Sequence, residues 1–68
     1  MKKLDEELLI NYYYYGWELS SDNAEFPVWF ESYEEKIACL CGYQDFDLGI
    51  ERDNIDIINE INKYIYGK

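Results

Sequence analysis

The sequence predicts an α+β domain: a small antiparallel sheet of two or three strands, covered on one face by two helices, in the order β-β-α-(β)-α. Three observations lead there. Four consecutive tyrosines at residues 12–15 sit in a stretch of high strand propensity. The spacings Ser32/Glu35 and Asp53/Asp56 each precede a helical apolar pattern. Turn-forming residues, SSDNAE at 20–25, separate the first segment from the rest. One sheet carrying two helices on one face buries both amphipathic patterns. At 68 residues the chain allows one domain, 1–68, and one small core.

Residues 1–9 read either way, because Leu4 and Leu8 fall one helical turn apart while strand character begins at Leu8. Over residues 8–19 a strand would place Leu9, Tyr13, Tyr15, Trp17 and Leu19 on one face, with Asn11 the polar exception. Tyr12, Tyr14 and Glu18 would face the other way. Gly16 then marks a bulge or the close approach of a neighbouring backbone. A single helix over residues 3–15 is the competing reading. Pro27 keeps the next segment out of a central, fully paired position, and Val28, Trp29 and Phe30 form a short strand that pairs with the first.

The first helix is expected at about 33–41. Ser32 can cap it by accepting the Glu35 amide, and Glu34 and Glu35 offset the amide dipoles of its first turn. Tyr33, Ile37 and Leu40 or Cys41 line one side, and Gly42 is read as the left-handed terminator. Residues 43–50 are a connector or a third strand, since Phe46, Leu48 and Ile50 alternate with Asp45, Asp47 and Gly49. The second helix is expected at 54–66. Asp53 caps it, Asn54, Ile57, Ile58, Ile61 and Ile65 give its face with Ile55 beside it, and Gly67 ends it.

Composition narrows the chemistry. Without histidine, the chain cannot build a histidine triad, zinc ligand or proton shuttle. Cys39 and Cys41, two residues apart, point about 200° apart on a helix and read as small apolar residues near its end, not as a redox pair or zinc knuckle. The rhythm Asp45, Asp47, Gly49, Glu51, Asp53, Asp56 resembles a calcium loop, but Ile50 stands where the loop needs glycine. Catalysis by paired carboxylates needs a sheltered pocket that so short a chain is poorly able to supply, and no cofactor or enzymatic activity is expected. No apolar run is long enough to span a bilayer. Lys2 and Lys3 are followed by Asp5, Glu6 and Glu7 where a signal peptide would be apolar, so a cytoplasmic location is expected.

Net charge is -9, and eleven acids against Lys36 and Arg52 concentrate that charge in residues 21–60. Such a field repels nucleic acid and anionic membrane and favours a protein with a basic surface. The leading expectation is a small inhibitor or modulator that occupies a basic, nucleic-acid-binding surface of a partner, such as a nuclease, by mimicking nucleic acid. Its contacts would be Glu31, Glu34, Glu35, Asp45, Asp47, Glu51, Asp53 and Asp56, with Tyr43, Tyr12 and Tyr14 supplying desolvated area. In size and compactness the chain resembles, in a general way, phage or mobile-element proteins that blunt host nucleases, a resemblance that assigns no residue. The alternative rests on the aromatic content. Thirteen rings exceed what one small core needs, and Tyr12, Tyr14, Tyr43, Tyr64 and Tyr66 are candidates for exposure. On that reading the chain is a non-enzymatic adaptor or accessory subunit in a hetero-complex or a homodimer.

Overall fold

A computed structural model describes residues 6–67, and over them all the regular secondary structure is helical. Helix α1 spans Glu6–Ser21, α2 spans Tyr33–Leu48 and α3 spans Asn54–Tyr66. The expected sheet is therefore absent among the described residues, and the α+β reading is corrected to a bundle of three helices. The strand expected over residues 8–19 is the body of α1, close to the competing helical reading. Val28, Trp29 and Phe30 lie in the α1–α2 connection, and Phe46 and Leu48 fall in the last turn of α2. The reading of residues 1–5, including Leu4, lies outside the described residues.

Why α1 is helical follows from what its side chains meet. Leu9, Tyr13 and Gly16 are the buried positions, spaced four and three residues apart, so they lie along one helical stripe. The tyrosines at 12–15 go round the helix in steps of about 100°. Only Tyr13 is engulfed, Tyr12 is half-buried, and Tyr14 and Tyr15 are exposed. Strand propensity yields here to packing, as it does whenever tertiary contacts outweigh a weak local preference.

Helices α1 and α2 cross at a pair of glycines. A methyl group on Gly16 would land on the Cys39 carbonyl oxygen, and one on Gly42 would land on the Tyr13 carbonyl oxygen. Each glycine thus lets the other helix's backbone come into direct contact. Gly16 fulfils the close-approach reading. Gly42 does not end its helix: α2 continues through it to Leu48, and the left-handed terminator is Gly49, with φ of 75°. There the Gly49 amide donates to Phe46 and the Ile50 amide to Asp45. Helix α1 closes in the same way, with Asn23 at φ of 59°. The Asn23 amide donates to Ser20 and the Ala24 amide to Leu19.

The caps foreseen from sequence are present where the helices start. Ser32 accepts the Glu35 amide at 3.2 Å, and Asp53 accepts the Asp56 amide at 2.8 Å. The core joins Leu9 and Tyr13 of α1, Ile37, Ala38 and Cys41 of α2, and Ile57, Ile58 and Ile61 of α3. Burying each of those isoleucines stabilises the fold by about 1.5–3 kcal/mol. Ile55 faces solvent, and Tyr33, expected on the buried side of α2, is also exposed.

Candidate functional site

The first notable site is internal. The Tyr13 hydroxyl donates to Asp45 Oδ2 at 2.5 Å, and Arg52 Nε donates to the same oxygen at 2.7 Å. Arg52 also lies 3.7 Å from Glu60, which in turn pairs with Lys63 at 3.8 Å. One carboxylate therefore ties α1, α2 and the α2–α3 connection together, and Arg52 extends the tie to α3. Burial and then the bond to Asp45 push the Tyr13 hydroxyl above its ordinary value. The hydrogen bond to Asp45 is the main reason the Arg52 guanidinium is held more firmly protonated. Among the described residues no buried side-chain nitrogen or oxygen lacks a hydrogen-bond partner, and the arrangement reads as a structural clamp.

Both cysteines are buried on α2, in the body of the helix and not near its end. Burial pushes the thiols up to about 11 for Cys39 and about 12 for Cys41, so neither forms the thiolate that nucleophilic or metal chemistry requires near neutrality. Among the described residues no group of three or more acidic or cysteine side chains is placed to hold a metal ion. The calcium-like rhythm fails physically, because its first member, Asp45, is buried on Arg52.

The acids expected to share a partner-binding face are divided by the fold. Asp45 and Glu35 are buried, Glu34 is half-buried, and Glu31, Asp47, Glu51, Asp53 and Asp56 are exposed. Asp53 and Asp56 belong to the start of α3. Glu51 and Tyr14 flank a hollow that also contains Arg52, and Asp47 and Tyr43 border another with Phe26, Leu40 and Leu48. Glu31 and Glu35 come together with Tyr12 at a third. Burial takes Asp45 and Glu35 out of any open acidic face, nothing in the fold speaks for nucleic-acid mimicry, and that part of the expectation is not carried further.

The exposed aromatic surface is instead centred on the segment expected as the second strand. Residues 22–32 form the α1–α2 connection. Phe26 packs edge-on against Tyr43 at 5.3 Å and in a tilted stack against Phe30 at 5.6 Å, and Phe30 packs on Tyr12 at 6.4 Å. The Tyr43 hydroxyl donates to the Ala24 carbonyl at 2.6 Å. These contacts pin the connection to α1 and α2 on both sides of its middle. Between the two phenylalanines, Pro27 fixes one backbone dihedral and removes a donor. Val28 and Trp29 then project outward, at 101% and 73% exposure. Tyr33, Tyr14 and Tyr15 are exposed on the flanking helices, as are Tyr64 and Tyr66 at the end of α3. Of the five tyrosines singled out from sequence, Tyr12 and Tyr43 turn out half-buried, as anchors of the connection. Val28 and Trp29 were missed. The available signal was a proline inside an aromatic run flanked by Glu25 and Glu31, which marks a surface loop more than a paired strand.

Comparison of the chain with known protein families, with curated proteins and with solved structures gives no match.

Proposed function

We propose that this protein is a non-enzymatic binding module, an adaptor or accessory subunit, that engages another protein through the aromatic surface around residues 26–30. One observation carries the reading. The connection is anchored by Phe26, Phe30, Tyr12 and Tyr43, yet it holds Val28 and Trp29 in solvent. A segment that merely joined two helices would gain by turning its tryptophan inward, since burying a large apolar side chain contributes about 1.5–3 kcal/mol. Rigidly presented tryptophan and tyrosine rings are the side chains that most often dominate protein interfaces, because they bring large area with little entropy to lose.

The test compares the native chain with Val28→Ser/Trp29→Ser in two measurements. Sedimentation over a range of concentrations reports self-association, and affinity capture from host lysate reports hetero-complexes. The double variant is expected to fold normally and to lose the complex that the native chain forms. Equal complex formation by both chains would overturn the reading.

A further inference from the structure

Resting on that reading, we infer that the groove between α1 and the 26–30 segment receives a basic side chain, lysine or arginine, of the partner polypeptide. The groove has a volume of about 400 Å³ and is lined by Tyr12, Tyr15, Trp29 and Phe30 together with Glu31 and Glu35. That volume lies within the range of clefts that hold small ligands, roughly 300–1,000 Å³. Tyr12 packs edge-to-face with Tyr15 at 79° and with Phe30 at 65°, so the three rings form one continuous aromatic wall of the groove. Aromatic rings that line a cleft attract a cation through their electron-rich faces, and arginine and lysine are the cations proteins carry.

The carboxylates choose the sign of the occupant. Glu35 is buried at 7% exposure, and Glu31 lies one helical turn before it in sequence. Among the described residues neither forms an ion pair, whereas Asp45 and Glu60 do. Burial first, then the charges of Glu35 and Glu31 and a hydrogen bond to Glu35, raise the proton affinity of the Tyr12 hydroxyl in the groove wall, which places both carboxylates close to it. The whole chain, at -9, steers positive charge toward itself. A purely apolar occupant would leave two carboxylates desolvated without a counter-charge. A basic side chain satisfies both the rings and the acids, and its aliphatic stem can lie against Trp29.

The test is an NMR titration of the full chain with short Gly/Ser peptides carrying one central residue: arginine, lysine, or their neutral isosteres citrulline and norleucine. The arginine and lysine peptides are expected to shift the Trp29 indole and the Tyr12 and Tyr15 ring signals saturably. The neutral peptides should bind at least about tenfold more weakly. Glu31→Gln, on an exposed side chain that leaves the core intact, should weaken the basic peptides severalfold and leave the neutral ones unchanged. Equal binding of charged and neutral peptides, absence of saturable shifts, or occupation of the groove by a second copy of the chain would each overturn the inference. Loss of complexes in Val28→Ser/Trp29→Ser alongside any of those results would retain the binding module while removing its basic ligand. Retention of complexes in that variant would remove the module itself.

Discussion

The aromatic runs at residues 12–15 and 26–30 are similar in composition and opposite in use. The first is wound into α1, where Tyr13 is engulfed and bonded to Asp45 of the neighbouring helix α2. The second contains a proline, cannot continue a helix, and holds Trp29 and Val28 in water. The difference teaches that aromatic content by itself says little about burial. What decides is whether the backbone beneath the rings can come close to a neighbour. At α1 it can, because Gly16 and Gly42 allow direct contact between two helices. At 26–30 the backbone is carried clear of the core by side chains that hold it from below.

Breaking the first region should have the largest effect. Gly16→Ala or Gly42→Ala drives a methyl group into an opposing carbonyl, and neither backbone can yield without separating the helices. We expect a loss of about 3 kcal/mol or more, read from urea unfolding followed by circular dichroism. An alanine at either position that left the midpoint unchanged would show that the crossing is looser than described. Next comes Asp45→Asn. It removes the charge that Arg52 and Tyr13 share, and with 18% of the Arg52 side chain still in contact with solvent the cost should be about 2–3 kcal/mol. Urea unfolding is again the measurement, and Asp47→Asn, at an exposed position, is the control.

A third test uses pH. Burial raises the proton affinity of Tyr13, Cys39 and Cys41 in the folded state above the ordinary values of 10.0 for tyrosine and 9.0 for cysteine. The folded chain therefore holds protons that the unfolded chain releases, so the stability these groups contribute is complete below about pH 9. It falls as pH climbs from there through the raised folded values. Thermal melting should show a steady decline above pH 9, less steep in Cys39→Ala/Cys41→Ala. A flat profile to pH 11 would contradict the burial of these groups. The smallest effect belongs to the second aromatic run. Val28→Ser/Trp29→Ser should change stability by less than about 0.5 kcal/mol, because both side chains are already in water. A loss comparable to that of the crossing variants would mean the outward-facing residues support the fold, and the contrast between the two runs would collapse.

The helix-starting chemistry was legible from residue types alone. Ser32 and Asp53 cap where their spacing says they should, and α3 runs over the expected residues 54–66 because its isoleucines repeat with one period and nothing else competes. The first half of the chain was not legible in that way. Leu9, Tyr13 and Gly16 have helical spacing, but an aromatic run that is apolar on every side satisfies a period of two as readily as one of 3.6. Gly42 misled for a related reason. A glycine after an apolar helical stretch is a common terminator, and only the opposing Gly16, 26 residues earlier, reveals it as half of a crossing. Of the candidate site, Tyr12, Glu31 and Glu35 were named from the sequence and do meet in one groove. Their company, Tyr15, Trp29 and Phe30, depended on how the connection folds back over α1, which no local pattern encodes.

The glycine crossing also provides an internal gauge. The peptide nitrogens of Trp17 and Tyr43 each lie 3.0 Å from where a methyl on the opposing glycine would sit, so each is roofed by the other helix. Exchange of their amide protons with deuterium then requires the two helices to part, not merely a helix end to fray. Their exchange rates report the free energy of opening α1 from α2, read residue by residue in the intact chain. Because Tyr12 and the 26–30 segment sit on the same pair of helices, slower exchange at Trp17 and Tyr43 on adding a ligand would register occupancy of the groove from inside the protein.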